Sequence, residues 1–112
     1  LVGSVIHAHP RNLMVYVAAG RPMPPILEWT FKYGVMDCIP ETPSHSQALA
    51  DRVVELAAAR REQMERVGLG IILPKHGVVV LGTDLNNAYD TLERLEENAY
   101  CSLMTRLLPP EE

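Results

Sequence analysis

The segment Ile71-Ile72-Leu73-Pro74-Lys75-His76-Gly77-Val78-Val79-Val80-Leu81-Gly82 restricts the fold more than any other stretch of this chain. It is apolar at successive positions, and successive side chains of a strand point to opposite faces. Strands made from it must therefore be covered on both sides, which a sheet with a wet face cannot offer. Pro74 to Gly77 divides the run, so it reads as two strands meeting at a tight turn on His76-Gly77. Only Lys75 and His76 depart from its apolar character. Polar residues at the end of a buried sheet conflict with packing, and such conflicts are where a functional site is sought.

The rest of the chain supplies the covering layers. Leu1 to His9 is apolar and β-branched enough for a strand. Pro10 suits the first position of a helix, and Asn12 to Ala19 with Gly20 behind it fits a short helix with a glycine stop. Pro22, Pro24 and Pro25 make Arg21 to Pro25 a stiff, extended connector into the short apolar piece Ile26-Leu27-Glu28-Trp29. Val35 to Ile39 reads as a second strand, closed by Pro40-Glu41-Thr42-Pro43. Ser44 or Ser46 can cap a helix from Gln47 to Arg66, where Leu49, Val53, Val54, Leu56, Ala57 and Met64 recur mostly at threes and fours and mark one buried face.

Gly68-Leu69-Gly70 breaks that helix. Asp84 can cap the last one, Leu85 to Leu108, with Ala88, Leu92, Leu95, Ala99 and Leu103 on one face. Asp90, Glu93, Arg94, Glu96 and Glu97 lie mostly on the other, solvated face. Pro109-Pro110 ends it, and Glu111-Glu112 is a tail. The order β-α-β-α-β-β-α, with no repeat or linker, predicts one domain over residues 1–112, an α/β sandwich in which helices cover a sheet.

Composition narrows the function classes. The chain has 112 residues, 47% of them hydrophobic, enough for one domain with a real core. Its formal net charge is −4 and its basic residues are scattered, which argues against a nucleic-acid partner. No run approaches the ~20 apolar residues of a membrane span, and the basic-then-apolar pattern of a signal peptide is not seen in these residues, so a soluble chain is expected. Cys38 and Cys101 sit in apolar segments and read as reduced core thiols of a cytoplasmic protein. Leu1-Val2-Gly3 carries no initiator Met, so a processed start or a larger parent chain is expected.

Four histidines are present, His7, His9, His45 and His76. His7 and His9 are two apart on a strand, so they share a face at roughly 6.5–7 Å and can grip one metal ion. His76, at a strand end, is the candidate third ligand. Three imidazoles with an open position describe a catalytic zinc-type site, with bonds of about 2.0–2.1 Å. Zn, Cu, Ni and Fe all suit imidazole. A His-only site points to Lewis-acid chemistry rather than a structural metal. His45, in Pro43-Ser44-His45-Ser46, fits a cap or a substrate contact. Glu28, Asp37, Tyr16, Tyr33 and Tyr89 could transfer protons, but no spacing ties them to the histidines.

Taken together, His7-Ala8-His9-Pro10 after a strand, Pro24-Pro25, Pro74-Lys75-His76-Gly77-Val78-Val79-Val80-Leu81-Gly82, and Ala88-Tyr89 followed by Leu95-Glu96-Glu97-Asn98-Ala99 resemble the class II aldolase/adducin family. That group includes fuculose-phosphate and rhamnulose-phosphate aldolases and ribulose-phosphate 4-epimerase. The resemblance implies a three-layer α/β/α sandwich with a central mixed or mainly antiparallel sheet. It also implies Zn2+ or another divalent metal on His7, His9 and His76, where it would chelate a sugar phosphate and stabilise the enediolate of retro-aldol cleavage. A 4-epimerase or a dehydratase on the same metal is the alternative, as is an adducin-like domain that only makes protein contacts.

Family members are typically homotetramers with active sites at subunit interfaces. Glu28 and Trp29 fall where the aldolases place an interfacial Tyr, so that proton donor is replaced here. The family's general-base Glu and its Gly/Ser-rich phosphate-binding loops precede the His-x-His strand. The resemblance therefore implies that residues 1–112 are the C-terminal part of such a domain.

Overall fold

The computed structural model describes residues 2–111. Leu1, the expected start of the first strand, and Glu112, the end of the expected tail, lie outside the described residues. Strands β1 (Ser4–Ala8), β2 (Asp37–Cys38), β3 (Leu69–Leu73) and β4 (Gly77–Gly82) form one sheet in the order β1-β4-β3-β2. β4 runs antiparallel to both β1 and β3, while β2 runs parallel to β3. The sheet is therefore mixed. Helices α1 (Leu13–Ala19), α2 (Gln47–Ala59), α3 (Arg61–Arg66) and α4 (Leu85–Met104) complete the fold with a 3-10 helix at Glu28–Tyr33.

Alternating side chains of the central strands serve two cores, as the two-sided apolar run requires. Ile72, Val78 and Val80 meet Leu13 and Val17 of α1 and Ala88, Leu95 and Ala99 of α4. Leu69, Ile71, Leu73 and Leu81 meet Ile39 and Met64, with Leu49, Val53, Leu56 and Ala57 of α2 at the margin. The result is α/β/α in three layers. Each fully buried Val, Leu or Ile stabilises it by about 1.5–3 kcal/mol, so the middle strands dominate the energy.

The caps follow the sequence closely. Ser46, rather than Ser44, accepts the Leu49 N–H at 3.1 Å, and Asp84 accepts that of Asn87 at 2.7 Å. Gly20 ends α1 in the left-handed region, at φ 64°. Several expectations are revised, among them the first strand, expected over Leu1 to His9 and confined to Ser4–Ala8 among the described residues. The helix expected over Gln47 to Arg66 breaks at Arg60, whose φ of −111° and ψ of 23° leave helical space. The Arg60 guanidinium bonds the Asp37 carboxylate at 2.8 Å, and Met64 beyond the break is buried while α2 has no fully buried residue.

The strand expected over Val35 to Ile39 shrinks to Asp37–Cys38, because Met36 pairs instead with Met23 in the proline connector. The last helix stops at Met104, followed by a 3-10 turn over Thr105–Leu107. Cys38 and Cys101 are free and half-buried, and burial pushes the Cys38 thiol pKa up. No helix among the described residues is long and apolar enough to cross a membrane.

Edge strand β1 positions the site. Ile6 and Ala8 pack toward α1 and α4, while Val5 is 61% exposed on the opposite face. His7 shares that opposite face, since it is two residues along.

Candidate metal centre

His7 stands on β1 beside β4, and its Nδ1 donates to the Val78 carbonyl at 3.0 Å. That bond places the proton on Nδ1 and leaves the Nε2 lone pair free to ligate. His9 lies one residue past the strand end, yet its ring remains 4.8 Å from that of His7, centroid to centroid.

His76 arrives from the other side of the β3–β4 turn. The turn sits two residues earlier than expected: the His76 N–H donates to the Leu73 carbonyl at 3.0 Å, with Pro74 and Lys75 at the corner. Lys75 adopts φ 64°, where glycine is usual in such a turn. Its N–H donates to the Val17 carbonyl of α1 at 2.9 Å, which braces the strained corner. The braced turn puts the His76 ring 4.8 Å from His7 and 6.2 Å from His9.

One ring nitrogen from each of His7, His9 and His76 can be chosen so that all lie within 4.8 Å of one another. Tetrahedral ligation with bonds near 2.05 Å needs nitrogens about 3.3 Å apart, so ring rotations of about an ångström complete the set. Two further observations fit a divalent cation. The Nδ1 of His76 is buried with no hydrogen-bond partner. Partial burial, followed by repulsion from His7, His45 and His9, holds the His76 pKa below its ordinary value, which keeps the imidazole neutral and able to donate at neutral pH.

Gly77 contributes by lacking a side chain. A Cβ there would lie 2.8 Å from the Ala8 carbonyl oxygen, 2.9 Å from the His9 ring and 3.0 Å from the His7 ring. Sequence reading took Gly77 for a turn residue only, and its position directly after a candidate ligand was the available signal.

His76 lines two clefts of about 500 Å³ each. One is walled by Glu41, Thr42, Pro43, Ser44, Pro74 and Lys75. The other runs along β1 and α2 past Val5, His7, Leu49, Val53 and Val79, and is mainly apolar. His45 borders this second cleft at φ 60°, its ring 6.3 Å from His76. Of its two expected roles the cap has gone to Ser46.

The other expected residues fall elsewhere. Glu28 and Trp29 are exposed on the 3-10 helix and line neither cleft. Tyr16 is buried against Ser102, Tyr33 is buried in the α4-side core, Asp37 pairs with Arg60, and Tyr89 is exposed.

The family described as Class II Aldolase and Adducin N-terminal domain matches residues 1–103. The crystal structure of L-fuculose-1-phosphate aldolase from Thermus thermophilus is similar over 92% of this chain, with a TM-score of 0.66 and 25% sequence identity. The present chain spans 53% of that protein's length.

Proposed function

We propose, from the premise that the chain belongs to the class II aldolase and adducin family, that it forms the metal-holding part of a sugar-phosphate lyase. The observation that carries this reading is the convergence of His7, His9 and His76, whose ring nitrogens come within 4.8 Å of one another from the adjoining ends of two strands far apart in sequence. These residues would hold Zn2+ or another divalent cation, which when bound polarises carbonyl and hydroxyl oxygens of a hydroxy-ketone.

The chain's own groups prepare that site. The Val78 carbonyl fixes the His7 tautomer, partial burial and its histidine neighbours keep His76 neutral, and Gly77 makes room for two rings. The polar cleft beside His76, with Glu41, Ser44 and Lys75, offers donors and acceptors to a polyhydroxy chain. This reading assigns the general base and the phosphate-binding loops to residues outside the 112. Ile26, Trp29, Phe31 and Val35 expose apolar surface around the 3-10 helix. We read that patch as a subunit interface of a homotetramer, through which Glu28 and Trp29 would reach a neighbouring site.

The test is metal analysis of the intact protein followed by incubation with a panel of ketose phosphates. One equivalent of divalent metal, lost in His9→Ala without loss of fold, together with carbon–carbon cleavage products, is the expected result. An inverted C4 centre would instead identify an epimerase, and loss of water a dehydratase. A protein without stoichiometric metal that associates with other proteins but turns over nothing would overturn the lyase reading in favour of an adducin-like interaction domain.

A further inference from the structure

The start of α1 is held in an uncommon way. The first N–H groups of a helix lack partners, and an Asn at the boundary ordinarily supplies its own side chain as the cap. Asn12 sits at that position but has helical φ/ψ and caps nothing. The acceptor comes from α4. Glu96 receives the Asn12 N–H at 3.0 Å, the Leu13 N–H at 2.8 Å and the Asn12 side-chain amide at 2.9 Å. A carboxylate placed so also meets the positive end of the helix dipole, and each bond is charge-assisted. The helical period placed Glu96 with the solvated face, whereas it is half-buried against α1.

Only Pro10 and Arg11 separate Asn12 from His9. On the other side, Ala8 is paired with Val78 in the β1–β4 ladder. His9 thus spans a short bridge between a strand and the Glu96 carboxylate. The other two rings have nearer supports, His7 on the Val78 carbonyl and His76 on the turn braced by Leu73 and Val17. Among the described residues the His9 ring makes no hydrogen bond of its own. Its place therefore depends on its backbone.

We infer that Glu96 is a positioning residue for the histidine cluster, holding His9 within reach of His7 and His76 by clamping the chain three residues downstream. The inference rests on the metal-site reading above, and its consequence for affinity follows. Loss of a group that hydrogen-bonds a ligating histidine directly typically weakens metal binding about 10–100-fold. Glu96 acts through the backbone, so a drop at the lower end of that range, about 10-fold, is expected for Glu96→Ala. Glu96→Gln keeps one acceptor oxygen and should recover part of it.

The full-length protein and both variants are titrated with Zn2+ against a chromophoric chelator, and ring contacts are read by NMR without metal. Tyr16→Phe serves as the stability control. It breaks the other α1–α4 link, the 2.6 Å bond from Tyr16 to Ser102, away from the histidines. The expected result is weaker Zn2+ binding in the Glu96 variants and unchanged binding in Tyr16→Phe. In the metal-free spectra, the His7–His9 ring contact should be lost while the His7–His76 contact survives. Zn2+ affinities and ring contacts in Glu96→Ala and Glu96→Gln that match the wild type would overturn the inference while leaving the metal site standing. A wild-type protein that binds no Zn2+ overturns the metal site instead, and the metal-free ring contacts still decide whether Glu96 positions His9.

Discussion

Asn98 offers a sharp test of how α4 organises the loops around it. It is fully buried, its Oδ1 accepts the Ile26 N–H at 2.8 Å and the Thr30 hydroxyl at 2.7 Å, and its Nδ2 donates to the Pro24 carbonyl at 3.0 Å. In Asn98→Ala, Thr30 can redirect its single proton to the Leu27 carbonyl, already 2.9 Å away. Two backbone groups, the Ile26 N–H and the Pro24 carbonyl, then remain unsatisfied. At about 1–3 kcal/mol for each orphaned group, with water reaching the partly exposed Ile26, the loss comes to roughly 2–4 kcal/mol.

Urea unfolding followed by circular dichroism measures this loss. With a slope of about 1–2 kcal/mol/M, the midpoint should fall by roughly 1–4 M at unchanged slope. A double-mutant cycle with Thr30→Val should show coupling of about 0.5–1.5 kcal/mol, since the two side chains share a bond. Zn2+ affinity should not change, because Asn98 anchors the Glu28–Trp29 segment and not the histidines. A midpoint shift below about 0.5 M would refute the reasoning, because it would mean that solvent replaces Asn98 at little cost.

Two other perturbations follow. Gly77→Ala drives a Cβ into the Ala8 carbonyl and the His7 and His9 rings; overpacking of this kind costs about 1–3 kcal/mol, and Zn2+ titration should show weakened binding beside the loss in thermal stability. Tyr33 is buried without a hydrogen bond on its hydroxyl, and burial raises its pKa above the usual 10.0, with Thr91 nearby offsetting part of the effect although its own hydroxyl is committed to the Val67 and Asn87 carbonyls. The folded chain holds this proton after the unfolded chain has lost it, so stability present below pH 10 declines as pH rises beyond it. Tyr33→Phe should flatten that decline in alkaline urea titrations while changing stability at pH 7 by less than about 1 kcal/mol, and a larger loss would show that the hydroxyl is bonded.

The parts legible in the sequence were those set by local physics. The doubly apolar run of β3 and β4 demanded two covering layers, and both are present. Ser46, Asp84 and Gly20 announced helix ends through their side chains or the lack of one. The period of two brought His7 and His9 together, although His9 lies just off the strand. The parts that were not legible depend on partners distant in the chain. Nothing near Arg60 predicts a break that is stabilised by Asp37, and nothing near Asn12 announces that its cap comes from Glu96. The short β2 likewise reflects competition for Met36 from Met23, across the proline connector.

The sheet order has a consequence for the unfolded chain. β1 comes first in sequence but pairs with β4, so His9 and His76 close more than half of the chain into a loop. A cross-link spanning on the order of 70 residues removes about 4 kcal/mol of chain entropy from the unfolded ensemble. A cation bridging those histidines would act as a reversible clasp on the first strand. Chelation would then be felt as faster hydrogen exchange along β1 and a lower melting temperature, and the ion would be part of the architecture as well as of the chemistry.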